Sequence, residues 1–182
     1  MPAARLTKRL DPVAGLGKLG AMRHALRLAA PLLLASTALA AAQQGPDYLD
    51  DRSDGPSMVR SYYNAIDRQE YARAYAYFGD APPVATYDAF AKGYADTTKT
   101  ELRLGPDQPD ADMGGVTHSV GVVLRGTKAD GSAEVFSGCY QVRQPAWWKT
   151  DPPVFSPLHI GEAHLAPTTE AFERAVIPDC LD

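Results

Sequence analysis

Val116-Thr-His-Ser-Val-Gly-Val-Val-Leu-Arg125 and Ala133-Glu-Val-Phe-Ser-Gly-Cys-Tyr-Gln-Val-Arg143 stand on either side of a turn containing Asp130-Gly131. Apolar residues recur at alternate positions in both stretches, the period of a strand with one buried face. Asp-Gly between two such runs is a strong hairpin signal. The pair therefore reads as the central hairpin of an antiparallel sheet. On its first strand Val116, His118, Val120, Val122 and Leu124 share a face, so His118 is expected to point inward. On its second, Phe136, Tyr140 and Val142 share one face and Cys139 lies on the other.

Working outward, residues 98–104 alternate in the same way, and the turn-rich residues 105–115 read as a loop. A Pro- and Trp-rich loop over 145–157 leads into a last strand at 158–165, and a short helix is expected at 169–176. Upstream of residue 97 the period changes. Val59, Tyr62, Tyr63 and Ile66 fall at helical spacing, as do Tyr71, Ala74, Tyr75 and Phe78, and Tyr87, Phe90, Ala91 and Tyr94. Asp67 and Thr86 are the expected N-caps of the second and third helices, and Pro82-Pro83 stops the second. Helices first and antiparallel strands after predict an α+β fold, with N-terminal helices packed on a curved sheet.

The front of the chain reads as an address. Arg5, Lys8, Arg9, Lys18, Arg23 and Arg27 precede an apolar run over residues 28–42 that ends in Ala-x-Ala sites, the pattern of a secretory signal cleaved after Ala40 or Ala42. Met22 would open a signal of more ordinary proportions. The run is short of the roughly 20 apolar residues a spanning helix needs. Residues 43–55 read as a flexible acidic leader, and 56–182 as one domain. The signal takes six of the 18 basic residues and one of the 22 acidic ones, leaving a net charge of about −9. Such a domain repels nucleic acid and, once the signal is gone, anionic membrane. In an exported chain the two cysteines, Cys139 and Cys180, most simply form one disulfide, tying the C-terminal tail to the outer sheet face.

Ser61-Tyr-Tyr-Asn-Ala-Ile-Asp-Arg-Gln-Glu-Tyr-Ala-Arg-Ala-Tyr-Ala-Tyr-Phe78, followed by Gly79-Asp80, resembles the opening of the nuclear transport factor 2-like superfamily, the cystatin-like α+β cone. The closing Pro157-Leu-His-Ile-Gly-Glu-Ala-His-Leu165 is similar to the last strand of that fold, so the resemblance covers about residues 57–166. It implies a sheet wrapped around helices and an apolar conical pocket. The superfamily holds isomerases, dehydratases and cyclases beside binding modules without chemistry, so fold alone does not decide function.

By that resemblance Tyr62 stands where the isomerases place an oxyanion-stabilising hydroxyl, a role that a dry pocket makes effective. The position expected to hold the Asp base is Thr86, with Asp88 two residues on. Other polar candidates are the inward His118 and, on the last strand, Glu162 and His164, which share parity with Leu158 and Ile160. Glu162 becomes a candidate general base if burial raises its pKa. His159 and His164 are spaced oddly and project to opposite faces, so no metal site is expected, and no cofactor motif is present. Trp147 and Trp148 are a candidate partner-binding patch. The expectation is a periplasmic or secreted, non-catalytic module. Its apolar pocket is lined by Tyr62, His118, Phe136 and Tyr140, and it takes a small apolar ligand or an envelope protein and possibly pairs as a homodimer. The alternative is an isomerase, dehydratase or cyclase-type enzyme.

Overall fold

Asp54 precedes Gly55-Pro56, a helix start written in sequence. The computed structural model describes residues 45–80, 82–146, 151–152 and 156–181. In it the Asp54 carboxylate accepts the Ser57 amide at 2.7 Å and opens α1 (Gly55–Asp67). Gly55 is required by proximity rather than by turn geometry. A Cβ here would lie 2.7 Å from a Val120 methyl and 2.8 Å from His118 Cβ, so the helix begins directly on the sheet. A break follows, with Gln69 in the left-handed region at φ 58°. Then come α2 (Tyr71–Ala76) and α3 (Tyr87–Tyr94). Thr86 caps α3 by accepting the Ala89 amide at 3.2 Å. Asp67 does not cap α2: it lies too far upstream and instead accepts the Thr100 amide at 2.7 Å, tying α1 to the first strand.

The strands are β1 (Thr97–Leu104), β2 (Gln108–Asp112), β3 (Gly115–Lys128), β4 (Ala133–Pro145) and β5 (His159–Thr168). All pairings are antiparallel, in the order β1-β3-β4-β5, and β2 adds to the same edge of β3 as β1. The fold is thus α+β, with helices on an open antiparallel sheet, as the period change predicts. β2 is a correction, because residues 105–115 read as a loop. Its Pro and Asp residues disfavour a strand, but pairing with Gly115–Ser119 supplies one, and Pro109 is tolerated because β2 lies at the edge.

The stripes of α1 and α3 and the inner faces of β3, β4 and β5 enclose a core that includes Met58, Val59, Ile66, Phe90, Val120, Val122, Val142 and Ile160. Burying side chains of this size contributes roughly 1.5–3 kcal/mol each. Among the described residues the acidic segment before α1 contains no helix or strand, yet it is bound to α1 and α2. The Asn64 amide donates to the Asp47 carbonyl at 2.8 Å and its oxygen accepts the Leu49 amide at 3.0 Å. Ser61 and Asp51 exchange two further bonds. Arg73 stacks on Tyr48 and donates to the Leu49 carbonyl. Its polar composition is matched by polar partners on α1 and α2.

The tail also departs from expectation. Residues 169–176 form no helix; one turn is closed by the Arg174 and Ala175 amides, both 2.9 Å from the Ala171 carbonyl. Arg103 of β1 takes the carbonyls of Phe172 and Ala175, which would otherwise extend the turn.

Candidate functional site

Tyr62 and Tyr63 are neighbours on α1 and both point into the interior, 1% and 2% exposed. Successive helical residues lie about 100° apart, so two can share a wide apolar arc. Each hydroxyl is taken by another tyrosine. Tyr62 shares a 2.7 Å hydrogen bond with Tyr94 of α3, and Tyr63 one of 2.7 Å with Tyr140 of β4. Phe78 stands edge-on to Tyr62, with ring centroids 5.4 Å apart. Burial pushes the ionisation of Tyr62, Tyr63, Tyr94 and Tyr140 up from its ordinary range, and neighbouring tyrosines push Tyr62 and Tyr63 further. These hydroxyls stay protonated, and no carboxylate or imidazole among the described residues bonds to them.

His118 does lie on the same strand face as Val120 and Val122, beneath the start of α1. Its Nδ1 donates to Asp107, 3.0 Å from each carboxylate oxygen. The pair sits beside Gly55 and is partly exposed. Asp107 was not legible as a partner, because the segment holding it reads as a loop until β2 fixes its register.

Glu162 and His164 correct an expectation. Gln141 pairs with Glu162 and Val142 with Ile160, leaving Gly161 as an extra residue. A bulge of one residue reverses every side chain beyond it. Glu162 and His164 therefore join the Cys139 face, with side chains 62% and 78% exposed, and His164 Nε2 donates to Glu162 at 3.2 Å. Neither faces the tyrosines. Thr86, at the position expected to hold the base, is occupied in capping α3. Cys139 and Cys180 form the expected disulfide.

Phe136 is half-buried at the margin of the core. An open depression of about 480 Å³ lies against it where β4 begins and β5 ends, bordered by Val135, Pro167, Glu134 and Glu170. A smaller one of about 210 Å³ lies between α1 and β1, lined by Tyr63, Leu102, Asp67 and Arg60. Asp67 is pushed up by desolvation, against which its bonds to Thr100 act. Among the described residues no group of three His, Cys, Asp or Glu could hold a metal ion, and no helix is long and apolar enough to cross a membrane. The expected signal segment and both Trp147 and Trp148 lie outside the described residues. Comparison with protein-family models, with curated proteins and with solved structures gave no match.

Proposed function

We propose that this chain is an exported, non-catalytic binding module of the nuclear transport factor 2-like kind, taking a small apolar ligand against Phe136. Carrying this reading is the pairing of the interior tyrosines. A hydroxyl that is to stabilise an oxyanion must be aimed at substrate, whereas those of Tyr62 and Tyr63 are spent on Tyr94 and Tyr140. The proposed seat is the depression beside Phe136, whose volume of about 480 Å³ is in the range of small-molecule sites. Val135 and Pro167 supply further apolar wall, and Glu134 and Glu170 the few polar groups that fix orientation. The signal-like front and the disulfide support export to the periplasm or beyond.

The test is a thermal-shift screen of flat apolar compounds, run beside a turnover screen with enones, epoxides and β-keto substrates. Ligands that raise the Tm are expected, and Phe136→Ala is expected to weaken them about tenfold, the scale of an aromatic contact. No turnover above buffer is expected. A turnover that falls by a factor of hundreds in Tyr62→Phe would replace this reading with the enzymatic one.

A further inference from the structure

The outer face of the sheet carries a cover. Val123 is fully buried although it alternates with the inward Val122 and Leu124 and so faces away from the helices. Ala175 of the tail is also buried, and both residues lie outside the main core cluster. The tail crosses this face without a main-chain ladder, since among the described residues its hydrogen bonds to the sheet all involve side chains. Arg103 donates to the Phe172 and Ala175 carbonyls at 2.7 and 2.9 Å, and Ser137 to the Val176 carbonyl at 3.1 Å. Gln108 donates to Asp179 at 3.0 Å, and Arg125 reaches Glu173 at 3.0 Å while stacking on the Phe172 ring.

Gly121, in the middle of β3, gives the tail its seat. A Cβ there would collide with the Pro178 carbonyl and with Ile177, so the tail's main chain rests directly on this strand. The tail's own apolar grip is small: Ala175 is buried and Ile177 packs against β3 at Gly121, but Val176 and Leu181 are 74% and 65% exposed. The disulfide from Cys139 to Cys180 holds the far end, and both cysteines are partly exposed.

We propose that residues 171–181 are a redox-released strap: cleaving the one disulfide frees them as a unit and uncovers the outer face of β3 and β4 while the helix–sheet core stays folded. The exchange needs a dithiol reductant. One of its thiolates attacks a sulfur of the Cys139–Cys180 bond, forming a mixed disulfide and expelling the other cysteine's thiolate. Its second thiol then closes the reductant's own disulfide. Two electrons and two protons end on Cys139 and Cys180, which are left as thiols. Without the bond, the exposed ties from Gln108, Arg125 and Ser137 contribute little each, and only the two Arg103 bonds are part-buried. The chain entropy of a terminal segment favours release. The strap belongs to the low-stability end of the molecule and the core to the high end.

Hydrogen exchange of the mature protein, oxidised and then reduced with dithiothreitol, tests this. Reduction is expected to speed exchange at least tenfold in residues 171–181 and in the covered part of β3, leaving α1 and the inner core unchanged, with protection restored on reoxidation. Trypsin is expected to cut after Arg174 only in the reduced protein, and in the Cys139→Ser/Cys180→Ser variant without any reductant. Strap protection that survives reduction would overturn the proposal, because the polar ties would then suffice. Loss of protection spread evenly over the chain would also overturn it, because the bond would then hold the whole domain.

Discussion

The inner face of the sheet meets the helices through Val120, Val122, Val142 and Ile160, all fully buried, whereas the outer face meets the tail through Arg103, Ser137 and Cys139. On the inside, Tyr62 and Tyr94, and Tyr63 and Tyr140, satisfy one another hydroxyl to hydroxyl, and apolar area does the holding. On the outside, side chains hold main-chain carbonyls and one covalent bond fixes the end. Packing of the first kind is cooperative and falls as a whole, while attachment of the second kind can open alone. A molecule can thus keep a rigid module and one detachable element on the same sheet.

The comparison breaks most visibly at its apolar side. Ile160→Ala removes a fully buried side chain that contacts the helix layer, so a loss of about 4 kcal/mol is expected by urea denaturation. A cost under about 1 kcal/mol would show that the inner face is not the stabilising one. Next come the cysteines. The chain-entropy model gives about 4 kcal/mol as a ceiling for a loop of 41 residues. A strap that detaches on loss of the bond regains part of that entropy, so about 2 kcal/mol is expected. Cys139→Ser, Cys180→Ser and the double variant should lower the Tm equally; a larger loss in the double variant would mean that each thiol contributes separately.

The smallest effect concerns the segment before α1. Desolvation acts to raise the Asp50 pKa, but the Tyr77 hydroxyl at 2.7 Å and Arg52 outweigh it and hold the carboxyl below its ordinary value. A carboxyl depressed in the folded state contributes stability above its unfolded pKa, lost as pH falls through the folded one. Glu70, which is depressed by Arg68 and Arg73 against the same penalty, acts in the same direction. Asp67, which is raised, acts in the opposite one. In Tyr77→Phe the Asp50 carboxyl is expected to titrate higher by NMR and the acid side of the stability curve to flatten. An unchanged Asp50 titration would detach this contact from the segment's docking.

What the sequence made legible follows the same division. β3 and β4 announce themselves by alternation around Asp130-Gly131, and α1 and α3 by their stripes, because both elements bury one face against the inner core. That residues 116–143 form a hairpin also placed Cys139 on the outer face, and with it the tail. The bulge at Gly161 leaves only a glycine as its trace, so the facing of Glu162 and His164 could not be read. β2 was hidden because Pro109 and three Asp residues in and beside it oppose a strand until β3 pairs with them. Tyr62 and Tyr63 were legible as interior residues, but the partner of Tyr63 is 77 positions away, and no local pattern announces such a bond.

The central proposal is that Tyr62, Tyr63, Tyr94 and Tyr140, whose hydroxyls pair with each other, present nothing to a substrate, and a double-mutant cycle on Tyr63 and Tyr140 tests it most directly. Each buried hydroxyl has the other as its partner at 2.7 Å, so Tyr63→Phe or Tyr140→Phe alone strands one hydroxyl and is expected to cost about 1–2 kcal/mol in denaturant unfolding. Tyr63→Phe/Tyr140→Phe removes both and should cost no more than either single change. Additive losses, with the double variant at the sum of the two, would contradict the account, because each hydroxyl would then be serving some group other than its neighbour.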